Sequence, residues 1–316
     1  MNGKLALGLM LVLSLAACQL HEQGSLQSPD TEKAVPRTVS SAAQSGPAVA
    51  AALTARYLDV RANCGSASMP AFLCRGIILR STVPSTAYKA WNPSPHSQNS
   101  GGVSFSYLSA DSKFTGLVFR QKNGFIFHPV LNSPIGTAKI EILCAFPIDG
   151  GTTLRDKPGC GAHPYDPVGS RRCQTVGITT AEQWVARWNQ YKMGYNMCSF
   201  DVRDSMNNLA ADSFYQSIRA HNLANFFAGL HDYIELILAT WPQDIPSKLP
   251  IQAFFYLNDG LAGAQYDQTD FFKSTGIVIP IIKITLPVTP AADAVFTFNP
   301  ADQVEKECSP NPENPC

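Results

Sequence analysis

The chain has 316 residues, a formal net charge of zero, 45% hydrophobic and 15% charged residues, and nine cysteines. So weak and balanced a charge excludes the basic footprint of a nucleic-acid-binding protein. The apolar content suffices for a real core, built as one large domain or two fused lobes.

The first residues, "MNGKLALGLMLVLSLAAC", carry one lysine, an apolar run and then small residues. The run is shorter than the about 20 residues a bilayer-spanning helix needs, so residues 1–17 read as an export signal. Leu15-Ala16-Ala17-Cys18 resembles the bacterial lipobox, which makes Cys18 the acylated mature N-terminus. Gln19 in place of aspartate then implies sorting to the outer membrane. An ordinary cleaved signal that happens to end in cysteine leaves the chain secreted instead, and both readings export it. Residues 18–46 are polar, contain Pro and Ser, and show no periodicity, as expected of a flexible tether. Removing Cys18 leaves eight cysteines, an even number suited to an oxidising compartment. Spacing alone leaves about 105 pairings open; sequence neighbours suggest 64–74, 144–160, 173–198 and 308–316. No C-x-x-C pair occurs, and a lone C-x-x-H at Cys160 and His163 is weak support for zinc.

Structure is expected from Gly46-Pro47, where proline suits a first helical turn ahead of "AVAAALTARYLDV". Strands are expected in "AFLCRGIILR" and "GGVSFSYL". In "FTGLVFRQKNGFIFHPVL", two β-rich runs flank Asn123-Gly124, a pair suited to a tight hairpin turn. "AKIEILCAF" is another strand. Residues 147–178 form a long loop rich in Gly, Pro and Cys, which is unusual unless stapled or functional. Helices follow in "TAEQWVARWNQY", capped by Thr179-Thr180, and in "SMNNLAADSFYQSIRAHNLANFFAGL". The strands "YIELILATW", "IQAFFYLN" and "GIVIPIIKITLP" complete the chain, with a short helix "AQYDQTDFFKS" between the last two and a cysteine-containing tail at 304–316. This order indicates an α+β fold rather than a parallel βαβ alternation.

Several catalytic signatures are absent: G-x-S-x-G, a P-loop, H-E-x-x-H and G-x-G-x-x-G. What remains is a constellation. Alternation puts Ser104 and Ser106 on one strand face and Val103, Phe105 and Tyr107 on the other. Arg80 closes an apolar strand and offers a fork for phosphate. Glu235 lies inside an apolar strand, where a carboxylate must meet something polar or be desolvated at a cost. Each has a structural alternative: Arg80 and Glu235 as edge charges, the serines as solvent-facing alternation.

Taken in order, "LRSTVPS", "GGVSFS" and "IELILATWPQDIPSKLPIQAFFY" resemble the three signature regions of the cholera- and pertussis-type ADP-ribosylating toxins. Over residues 55–303 the chain more closely resembles the secreted bacterial halovibrins, which consume NAD, through "PAFLCRGIILRST", "WNPSP…GGVSFSYL" and "LPIQAFFYL". The resemblance implies an ADP-ribosyltransferase-like split β-sheet over residues 47–303, with helices and disulfide-stapled insertions. It implies that Arg80 holds the NAD diphosphate and braces the site, that Ser104 hydrogen-bonds and orients Glu235, the catalytic glutamate, and that Ser104 and Ser106 line the NAD site. The family's threonine position is Phe105 here. Trp91, in "KAWNPSP", is a candidate to stack on a ring of NAD, against the commoner case of a buried aromatic. Glu141 is the rival carboxylate but lacks the Ile-Pro step that follows Glu235 at Ile245-Pro246. Transferases of this group carry Glu or Gln two residues before the catalytic glutamate; Tyr233 stands there, which favours water as acceptor. The expectation is therefore NAD as substrate, no metal or other cofactor, and glycohydrolysis. Transfer of ADP-ribose to a protein acceptor is the alternative, and a cystine-rich surface-binding lipoprotein without catalysis the second.

Overall fold

The computed structural model describes residues 45–304 except 62, 66–68, 70, 84–87, 118–119, 151–171, 192–196, 203–214 and 220–233. Signal segment, Cys18, most of the tether and nearly all of the tail lie outside the described residues, as do Tyr233, Cys160, Cys308 and Cys316. Residues 41–316 cluster as one compact unit. No helix among the described residues is long and apolar enough to cross a membrane.

The fold is α+β, and the described strands form one mixed nine-stranded sheet. Its strands are β1 (Ile77–Thr82), β2 (Gly102–Leu108), β3 (Asn123–Phe127), β4 (Ile142–Phe146), β5 (Phe200–Asp201), β6 (Glu235–Ala239), β7 (Ile251–Tyr256), β8 (Ile281–Thr285) and β9 (Val295–Phe298). They hydrogen-bond in the order β5-β4-β6-β2-β1-β3-β7-β8-β9. Every pairing is antiparallel except β7 with β8, which α4 (Leu261–Thr275) bridges as a crossover. Other helices among the described residues include α1 (Gly46–Leu58), α2 (Pro95–Ser100) and α3 (Ala181–Tyr191), and residues 215–219 are helical as well. At the start of α3, the Thr180 hydroxyl accepts the Gln183 N–H and the Gln183 side chain accepts the N–H groups of Thr179 and Thr180. That reciprocal capping explains why the helix begins there.

Alternation sorts the strands' apolar residues to two faces. One face carries Ile78, Phe105, Phe125, Leu236 and Phe254 under Trp184 and Trp188 of α3 and Phe271 of α4. The other carries Ile77, Leu79, Ile126, Phe255 and Ile282 under Val49, Leu53 and Tyr57 of α1.

Asn123-Gly124 does not turn a hairpin. The two residues open β3, opposite Thr82 and Ser81 of β1 on one side and Tyr256 and Phe255 of β7 on the other. Glycine is needed at 124 for close approach: a Cβ there would sit 1.9 Å from the Arg80 carbonyl oxygen. The described residues of 113–122 form no strand.

Two expected disulfides are present, Cys64–Cys74 and Cys173–Cys198. Cys144 is disulfide-bonded as well. Such bridges fit an oxidising, extracellular-type environment, and each typically contributes about 2–5 kcal/mol.

The α4 helix is also held by polar contacts. Asp267, buried against the sheet, accepts hydrogen bonds on Oδ2 from Asn123 Nδ2 at 2.8 Å and Thr82 Oγ1 at 3.2 Å. Burial pushes its carboxyl up to about 7, outweighing those two hydrogen bonds, which pull it down. An unfolded aspartate titrates near 3.9, so the native state binds the proton more tightly. The resulting stability is fully present below about pH 4, is lost as pH rises towards 7, and changes no further above it. Asp267→Asn should remove this slope, as urea unfolding of both proteins across that range will reveal. Parallel stability curves for the two would contradict the assignment.

Candidate functional site

Glu235 is the first residue of β6, a central strand between β2 and β4. The register sets Ser106 of β2 and Phe146 of β4 opposite it, and Ser104 opposite Ile237 two residues on. Ser104, Ser106 and Glu235 therefore share one face, with Ser104 at a diagonal position within reach of a long side chain. The Ser104 hydroxyl donates to Glu235 Oε1 at 2.8 Å. On the β4 side, the Gly150 N–H donates to Oε2 at 2.9 Å. Glu235 is 1% exposed and Ser106 3%, while Ser104 is half-buried. A carboxylate only accepts hydrogen bonds, and donors to its charged form favour that form. The two donors hold the carboxyl in one orientation, and in its charged form such a group is suited to stabilising a neighbouring positive charge as it develops.

Arg80 lies on the other face. Because Leu79 stands opposite Ser106 and Arg80 opposite Phe125, the sheet separates the guanidinium from the Ser104–Glu235 pair. Its Cζ sits 6.0 Å from the Phe105 ring centre, and its buried Nη1 has no hydrogen-bond partner. Burial lowers its pKa to about 10. The expectation that Arg80 braces the same site as Ser104 is corrected by this register: one residue of offset reverses the face.

Trp91 is a core residue, 1% exposed, with its ring edge-on to Phe271 at 5.0 Å. Its carbonyl accepts the Trp241 Nε1–H at 3.1 Å. Packed in this way, the ring offers no open face to a ligand, which corrects the stacking role expected of it. The rival Glu141 is exposed beside the far end of β6, where its carbonyl accepts the Ala239 N–H at 2.9 Å.

Two features of the structure were not expected from the sequence. Gly150 is one, since a backbone N–H leaves no side-chain signal. The other is a buried ionic cluster joining the approach to β1 with the end of β2. Arg75 meets Asp111 through Nη1 and Nη2, both at 3.2 Å, and also donates to the Asp59 carbonyl at 2.9 Å. Asp111 further accepts the hydroxyls of Ser109 and Tyr215, and the Arg75 guanidinium lies 4.7 Å from the Tyr215 ring centre. Among the described residues, no group of three or more His, Cys, Asp or Glu is placed to hold a metal ion.

No protein-family model matches the chain, and no curated protein matches it either.

Proposed function

We propose that the chain is an exported NAD glycohydrolase with an ADP-ribosyltransferase-like domain, and that Glu235 is its catalytic carboxylate. The observation that carries this reading is the hydrogen bond from Ser104 to Glu235, two residues 131 apart in sequence. It is the contact that the resemblance to ADP-ribosylating toxins implies for those two positions. In the proposed reaction, the bond between the ribose C1′ and the pyridinium nitrogen breaks and its electron pair leaves with neutral nicotinamide. The leaving group therefore needs no strong acid. The Glu235 carboxylate stabilises the oxocarbenium-like ribose, as one carboxylate does in glycoside cleavage. Water then adds at C1′ and releases a proton, giving ADP-ribose.

Ser104 holds the carboxylate, and Ser106, opposite it on the same face, supplies a second hydroxyl. Arg80 has no part in this centre, since the sheet lies between them. Tyr233, in place of an acceptor-activating carboxylate or amide, supports hydrolysis over transfer to a protein. Incubating the purified mature chain with NAD tests the reading. Equal amounts of nicotinamide and free ADP-ribose support it. Label transferred to added proteins favours the transferase instead. No turnover and no NAD binding favours a surface-binding lipoprotein.

A further inference from the structure

We infer that Gly150 is a positioning residue of this centre, its backbone N–H and the Ser104 hydroxyl forming a clamp that fixes the Glu235 carboxylate. The role in turnover rests on the glycohydrolase reading; the clamp itself does not. The two donors come from opposite sides. Ser104 belongs to β2 and takes Oε1, while Gly150 follows β4 and takes Oε2 at 2.9 Å. Between β4 and Gly150, Ile148 is buried in the core at 1% exposure and anchors the connecting turn. A glutamate has three side-chain torsions, and fixing such a side chain costs up to about 2 kcal/mol in lost rotamer freedom. Meeting that cost on folding leaves the charge already aimed when substrate arrives.

Position 150 accepts no side chain. A Cβ there would fall 2.6 Å from Glu235 Oε2 and 2.8 Å from Cδ1 of the Phe146 ring. Phe146 is completely buried on β4, opposite Glu235 itself, and has little room to retreat. The Gly150 backbone is not left-handed, so alanine brings no conformational strain of its own. The cost of Gly150→Ala therefore falls on the carboxylate, which must leave its bond to the N–H.

The test is Gly150→Ala, read in two ways. In NAD cleavage, kcat should fall about a hundredfold with KM little changed, the scale of an ångström-sized misplacement. In protein labelled with 13C at glutamate carboxyls, the Glu235 resonance (assigned by its loss in Glu235→Gln) should titrate about one unit or more higher than in wild type. If Gly150→Ala does not fold, Phe146→Leu/Gly150→Ala removes the clash with the ring but keeps that with Oε2, and should show the same titration shift. An unchanged Glu235 titration in a folded variant overturns the clamp. Inactive wild-type protein overturns the glycohydrolase reading alone, because the titration is measured without substrate.

Discussion

Glu235→Gln should fold as the wild type does and lose NAD cleavage by a hundredfold or more. Glutamine can satisfy both members of the clamp. Its carbonyl oxygen can accept the Gly150 N–H, and its amide can donate to the Ser104 hydroxyl, which both donates and accepts. At these two contacts the substitution therefore removes one quantity, the negative charge. Loss of preorganised charge stabilisation typically costs about 3–4 kcal/mol in the transition state. Binding of NAD should change little, so the loss should appear in kcat and kcat/KM alike. Glu141→Gln is the control. Glu141 is exposed beside the opposite end of β6, and its removal should leave the rate at the wild-type value. An active Glu235→Gln beside an inactive Glu141→Gln would place the chemistry on the wrong strand.

Asp111→Asn should be strongly destabilising, more so than Asp267→Asn or Glu235→Gln. The Arg75 side chain is fully buried and Asp111 is its acidic partner through two contacts. Without the carboxylate's charge, the buried cation keeps neutral partners, among them the Asp59 carbonyl, the face of Tyr215 and the amide oxygen that asparagine brings. Breaking a buried pair by removing one member costs about 3–5 kcal/mol, a large share of the about 5–15 kcal/mol that holds a typical domain. Arg75→Met should cost less. Asp111 is 15% exposed and retains the hydroxyls of Ser109 and Tyr215. Urea unfolding at neutral pH measures both. The midpoint should fall further for Asp111→Asn with the slope unchanged, and the reverse order would refute the asymmetry.

Much of the fold was legible because its long strands carry clear alternation. In "GGVSFSYL" the serines and the aromatics take opposite faces as written, and "ELILA" forms a strand with its carboxylate turned to the serine face. What alternation does not contain is register between strands. Whether Arg80 or Leu79 faces the serines turns on a single residue of offset, which only the pairing of β1 with β2 decides. Asn123-Gly124 misled for a related reason. The pair satisfies the local chemistry of a turn, but the requirement for glycine is a backbone contact with Arg80 across β1 and β3. Strands β5 and β9, of two and four residues, are too short for alternation to announce them. Trp91 illustrates the remaining gap. Its residue type left open a ligand-stacking ring and a buried aromatic, and the packing of α4 and Trp241 against it decides for the latter. Gly150 reaches Glu235 through a main-chain group 85 residues away in sequence, and no residue pattern records such a contact.

The central claim is that Glu235 and Ser104 form a centre that breaks the nicotinamide–ribose bond. The direct measurement is nicotinamide release from NAD by purified mature protein, followed beside Glu235→Gln. The account predicts release by wild type in equal amount with ADP-ribose, and near-complete loss in Glu235→Gln despite a native far-UV CD spectrum and unchanged NAD binding. Release that persists at the wild-type rate in folded Glu235→Gln, or no release by folded wild type at any NAD concentration, would contradict it.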